Sequence, residues 1–309
     1  MAAPTVYRSS DASAPTITST KGTLVTALDA ILVNGYGSQS AAGWTIAQTT
    51  TNKRDYQQGG ASNKMILSVN DDGPGTAVGQ EARFTGFVTS TGLGTGTGQF
   101  PAANLFIRKS VEATGGSTTR QWVCIADTRT VYMFIFTVDT PGTALAFGFG
   151  DIYSYASGDT LKCGIWGRTT EASGTASVDS LDKLAASFAA IGGNYLASSY
   201  TGLGGPINSG KIGDSGKGSA TTLSGSVGFP NAPDGGLYLS RVFVLEPTGA
   251  YVRGYMRGFY HLLHAISNVN DGDTFSGSGY YAGRTFMVVK QSGNSGAYVI
   301  ETTAWDTST

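Results

Sequence analysis

Between Leu237 and Lys290 the chain repeatedly begins an apolar run and cuts it short with turn residues. The run Leu237–Leu245 breaks at Glu246-Pro247-Thr248-Gly249. The next, Ala250–Ile266, carries two Arg-Gly pairs, Arg253-Gly254 and Arg257-Gly258. A polar knot, Asp271-Gly272-Asp273-Thr274, is followed by Gly283-Arg284-Thr285 and a final run, Phe286–Val289. Runs rich in Val, Tyr and Phe and bounded by Gly, Pro, Asn and Asp predict strands of an antiparallel meander. The same landmarks recur over Val131–Thr170: a run to Val138, the turn Asp139-Thr140-Pro141-Gly142, then Gly158-Asp159-Thr160 and Gly167-Arg168-Thr169. A fainter version spans Met65–Ser110, with Asp71-Asp72-Gly73-Pro74-Gly75 at its turn. The order reads as a threefold repetition of a three-stranded unit over 65–110, 131–170 and 237–290.

The expected fold is therefore all-β, a sandwich or barrel of antiparallel meanders. An extended N-terminal arm over 1–20, polar and carrying Pro4 and Pro15, would precede a single large β domain over 21–309. One short N-terminal helix is expected, with Thr20 as its cap, Leu24, Leu28, Ile31 and Leu32 on one face, and Asn34-Gly35 as its stop. A second is expected over 181–191, capped by Ser180, inside an insertion over 171–236. Thr45–Gln58 reads as an edge strand and loop, and Gln121–Val138 as a hairpin turning at Asp127-Thr128-Arg129-Thr130. The Gly/Ser/Thr-rich stretch Gly202–Ser226 reads as a long surface loop suited to partner contacts.

Composition limits the function. With 309 residues the chain can bury about three quarters of its unfolded surface. A net charge of −1, with 13% of residues charged, offers no basic field for phosphates, so nucleic acid is not expected as a partner. So few charges suggest that neighbouring subunits cover part of the surface. No run reaches the roughly 20 apolar residues of a membrane helix, and the Met1 end lacks the pattern of a secretory signal. Cys124 and Cys163 are too few for a disulfide framework and are expected reduced and buried.

The candidate chemical motifs fall away one by one. Gly210–Ser219 fails as a phosphate loop, because Lys211 stands where a Gly is required and Gly218 where Ser or Thr is required. Gly-x-Ser-x-Gly does not occur. His261 and His264 could join the two cysteines at zinc, but the cysteines lack close-pair spacing and the histidines sit beside Phe259 and Tyr260. Asn268, Asn270, Asp271 and Asp273, and separately Asp71 and Asp72, offer oxygens to calcium. Their order departs from the EF-hand loop, and turn formation accounts for them. A glycosidase pair would draw on Glu81, Glu112, Glu171, Glu246 and Glu301. No cofactor and no metal are expected.

Several stretches, in order, resemble a family of tailed-bacteriophage virion structural proteins. They are Pro4-Thr5-Val6-Tyr7-Arg8, Leu28-Asp29-Ala30 with Leu32-Val33-Asn34-Gly35-Tyr36-Gly37-Ser38, Ala42-Gly43-Trp44, Phe229-Pro230-Asn231, Asp234-Gly235-Gly236-Leu237-Tyr238 and Asp271–Gly277. The chain departs from that pattern at Tyr260-His261-Leu262-Leu263-His264-Ala265, where the family is associated with Trp-His and His-Pro pairs. The resemblance runs nearly end to end. It implies a place in the phage virion, assembled in the host cytoplasm, in the tail or on the particle surface, and carries over no catalytic residue. The expectation is a non-enzymatic structural protein that forms a homo-oligomer and contacts other virion proteins. Its contact residues would be Tyr36, Trp44, Arg253, Arg257 and the loop Gly202–Ser226. Two alternatives stay open: an adhesin module that binds a host surface glycan, and a glycan-degrading enzyme.

Overall fold

The computed structural model describes residues 3–73, 81–110, 112, 115–136, 144–168, 192–202, 211–213, 228, 230–246, 251–265, 269–290 and 297–306. The expected second helix over 181–191 lies outside them.

The first half of the chain supplies β1 (Thr5–Arg8), β2 (Thr45–Thr50), β3 (Lys53–Gln57), β4 (Ile66–Asn70) and β5 (Glu81–Phe87). The small hairpin β6 (Thr89–Gly92) and β7 (Thr95–Thr97) leads into β8 (Phe100–Arg108). Then come β9 (Gln121–Ala126), β10 (Thr130–Phe136), β11 (Ala144–Asp151), β12 (Tyr153–Ser154), β13 (Cys163–Arg168) and β14 (Gly192–Leu196). The C-terminal part adds β15 (Lys211–Gly213), β16 (Leu239–Glu246), β17 (Tyr251–Leu262), β18 (Thr274–Ser276), β19 (Thr285–Lys290) and β20 (Ala297–Glu301).

These strands form an all-β sandwich and no closed barrel. Among the described residues the larger sheet has eleven strands in the order β1-β9-β10-β11-β13-β8-β5-β4-β3-β2, with β14 also on β13. The second runs β15-β16-β17-β20-β19-β18, with β12 on β17. Among the described residues every strand pairing is antiparallel.

The larger sheet doubles over on itself. Phe84 and Phe100 of one half meet Phe147 and Phe149 of the other at centroid distances of 4.8 and 6.0 Å. The core between the halves also takes Leu24, Val25, Leu28, Ile31 and Leu32 from the N-terminal helix. A second core fills the space between β9, β10 and β13 and the smaller sheet. β10 thus lies in a middle layer: Val131, Met133 and Ile135 face the first core, Tyr132 and Phe134 the second. This explains why Thr130-Val131-Tyr132-Met133-Phe134-Ile135-Phe136 is apolar almost throughout, since a strand covered on both faces has no polar side to show.

The helix α1 spans Thr23–Leu28 and continues as a π-helical turn over Asp29–Asn34, stopping at Gly35 with φ 77°. Thr20 does not cap it. The N-cap is Gly22, and the capping acceptor comes from a distant residue, Asp71, whose Oδ2 takes the Leu24 N–H at 2.9 Å. Lys109 holds that carboxylate at 2.5 Å, both side chains being fully buried. Among the described residues no helix is long and apolar enough to cross a membrane.

The first two landmark units are meanders in which each strand pairs with the next, β4-β5-β8 and β10-β11-β13. The third is wired differently. β17 turns from β16 to the closing strand β20, and β19 and β18 follow beyond it. The stretch read as an extended arm supplies β1, which pairs with β9 from Thr5↔Ala126 to Arg8↔Val123.

Candidate interaction surface

The two Arg-Gly pairs of β17 turn inward. Arg253 is 2% exposed and donates to both carboxylate oxygens of Asp159 at 2.7 and 2.8 Å, to the Ser198 carbonyl at 3.1 Å, and to Glu246. Arg257 reaches across to the larger sheet. Its guanidinium donates to Asp127 at 2.6 and 3.2 Å, to Thr130 Oγ1 at 2.9 Å and to the Asp306 carbonyl at 2.7 Å. A planar fork that satisfies two acceptors at once suits such closed sites better than an ammonium would. The glycines make room for this. A Cβ on Gly254 would stand 1.8 Å from the Tyr153 carbonyl oxygen. Gly258, at φ +64°, sits where the β16 register shifts, and a Cβ there would strike the Trp305 indole at 2.0 Å.

Most of the expected contact residues point into the chain. Arg253 and Arg257 spend their donors within the chain. Trp44 is 2% exposed, with its indole N–H on the Asp127 carbonyl at 2.8 Å and its ring 5.9 Å from Phe149. Tyr36 is half-buried, its hydroxyl donating to Asp11 at 2.9 Å. The acidic partners Asp127 and Asp159 were visible in the sequence only as turn residues, in Asp127-Thr128-Arg129-Thr130 and Gly158-Asp159-Thr160. Of the loop Gly202–Ser226, Lys211–Gly213 is strand β15, paired with β16, and 203–210 and 214–226 lie outside the described residues.

The other candidates also have structural employment. His264 donates from Nδ1 to the Gly228 carbonyl at 2.7 Å and accepts the Tyr238 N–H on Nε2 at 2.8 Å. His261 is buried in β17 against the Tyr298 ring at 5.5 Å. Both cysteines are free and buried, and burial pushes both thiols well up. Asn270 and Asp273 bond each other's backbone in a turn, and Asn268 lies outside the described residues. Among the described residues no three His, Cys, Asp or Glu side chains are grouped to hold a metal. Glu246 and Glu301 each hold an arginine, Glu301 facing Arg284 at 3.2 Å, and Glu171 lies outside the described residues.

Among the described residues two surfaces stand out. The first is the free edge of the larger sheet. All six residues of β2, Thr45-Ile46-Ala47-Gln48-Thr49-Thr50, are exposed, and none is charged. The second lies on the outer face of the smaller sheet, where aromatic rings and charges alternate. Tyr153, brought opposite Tyr255 by β12, stacks on it at 4.6 Å and 14°. Tyr155, 54% exposed, stands edge-on to both rings. Arg241 lies over the Tyr255 ring at 4.0 Å and 3.7 Å from Asp306, which accepts the Tyr255 hydroxyl at 2.8 Å. Tyr280, 73% exposed on a 3-10 turn, lies 5.8 Å from Arg284. Burial and Asp306 push the Tyr255 hydroxyl far up, so it stays a donor.

No protein-family model matches the chain, and no curated protein matches it.

Proposed function

We propose that this chain is a non-enzymatic structural component of a tailed-phage particle, set in the tail or on the particle surface and held by contacts with other virion proteins and copies of itself. The observation that carries the assembly half of this reading is the edge strand β2. A sheet edge is a template for another strand, and proteins normally blunt it with charges, prolines or cover. β2 has no charged residue and no proline, and all six of its residues are exposed; among the described residues a bulge at Ala47 and the Arg54 guanidinium on the Thr50 carbonyl are what blunts it. Strand addition across such an edge uses main-chain hydrogen bonds and needs no special side chains. The sequence resemblance carries the particle half, and the low charge of the chain agrees with both.

The test is the mass of the purified protein in solution, with immunolabelling of whole particles. A closed oligomer is expected, together with label on the virion. Thr49→Lys, which plants a charge on the edge, is expected to weaken association by about tenfold or more. A monomer that is absent from particles would overturn the proposal.

A further inference from the structure

We infer that the outer face of the smaller sheet, centred on Arg241 and Asp306 and flanked by Tyr153, Tyr155 and Tyr280, is a binding site for a neutral glycan. This stands apart from the assembly reading, which rests on a different edge of the molecule.

Arg241 sits at the centre of this face. Its guanidinium is held in place from below by the Tyr255 ring at 4.0 Å and from the side by Asp306 at 3.7 Å. Neither contact is a hydrogen bond, and among the described residues none of its N–H groups has a hydrogen-bond acceptor. Its side chain is nevertheless 26% exposed. A fixed, partly exposed fork of donors is preorganised to meet paired hydroxyl groups. Asp306 presents the complementary acceptor beside it, one carboxylate oxygen engaged by Tyr255.

Charge then selects among ligands. Arg241 is offset by Asp306 and Arg284 by Glu301, so the charges of these two pairs cancel. A site built for phosphate, sulfate or a uronic acid would instead carry cationic charge not offset by carboxylates. The rings supply the other half of the recognition. Tyr155 and Tyr280, 54% and 73% exposed, offer flat apolar surface with a polar hydroxyl tip. A pyranose has the matching pattern: a C–H face to lie on a ring and equatorial hydroxyls directed at donors and acceptors. Flat rings next to a neutral, unsatisfied donor–acceptor pair fit a hydroxyl-rich uncharged polymer better than an apolar protein surface, which would leave the Arg241 donors buried without partners.

The experiment probes the full-length protein with an array of neutral and acidic polysaccharides, beside Tyr155→Ala, Tyr280→Ala and Arg241→Gln. Because both tyrosines are exposed, their variants should melt as the parent does, which separates lost binding from lost fold. The expected result is binding to one or more neutral glycans, little changed by salt, and weakened about tenfold or more in each variant. Oligomer mass should be unchanged in the two tyrosine variants, and Thr49→Lys should leave glycan binding per chain unchanged. The inference is overturned by an array with no neutral ligand, by binding only to acidic glycans that salt abolishes, or by neutral binding that all three variants retain. Loss of oligomer mass in the tyrosine variants would also overturn it, assigning the face to protein contacts instead.

Discussion

Arg257 shows how much a single side chain decides here. It belongs to the smaller sheet, yet its carboxylate partner Asp127 lies in the β9–β10 turn of the larger one, so one guanidinium fixes how the two sheets meet. The Tyr132 hydroxyl closes the same junction on the Arg257 carbonyl at 3.0 Å. Asp151 is the counter-case, a buried acid that among the described residues has no cationic partner in hydrogen-bonding range. One oxygen takes Gln58 at 2.9 Å and Asn63 at 3.4 Å, while the other has no donor among the described residues. Burial pushes its carboxyl up to about 6, against the Gln58 hydrogen bond. Because the folded value lies above the unfolded one, the folded chain binds this proton more tightly. Below the unfolded value both states are protonated and nothing is lost. As pH rises through the folded value, the native state must bury a charge, at a cost on the order of 3 kcal/mol. Denaturant melts from pH 4 to 7 should therefore show the parent losing more stability than Asp151→Asn as pH rises. Equal losses in the two proteins would contradict this account.

At the scale of elements, the N-terminal helix shows local and distant causes acting together. Its apolar face and its stop at Gly35 are written in its own residues, but its start depends on Asp71, whose position depends in turn on Lys109. Lys109 also donates to the Thr20 carbonyl at 2.6 Å, so one ammonium ties β8, the end of β4 and the entry to the helix. Removing one partner of such a pair leaves the other charged, buried and alone. Lys109→Met should cost about 3–5 kcal/mol in denaturant midpoints, and adding Asp71→Asn, which keeps an acceptor for Leu24, should recover part of the loss. A double variant no more stable than Lys109→Met would show that the charge pair is not the reason. The helix was legible because its period is local, whereas its cap was not, because 47 residues separate acceptor from donor.

Across the whole molecule, the two sheets share a core of large side chains, among them Tyr132, Trp166, Phe259, Tyr298 and Trp305. A common core of this kind makes the sheets one cooperative unit. Calorimetry should give a single transition, and two resolved transitions would show that the sheets unfold separately. The all-β class, the strand runs, the β9–β10 hairpin and the edge strand could be read directly, because each depends on alternation and turn chemistry within a few residues. The aromatic face could not. Tyr153, Tyr255, Arg241, Tyr280 and Asp306 come from separate parts of the chain and gain meaning only where strand pairing sets them side by side. The Arg-Gly pairs stood out in the sequence, but neither direction nor partner did. Alternation says that a residue takes one face of a strand or the other, and the layer stacked on each face decides whether that face is core or surface. Local chemistry determined the strands and turns of this protein, and the stacking of its layers decided which polar residues became internal ties and which were left to meet a partner.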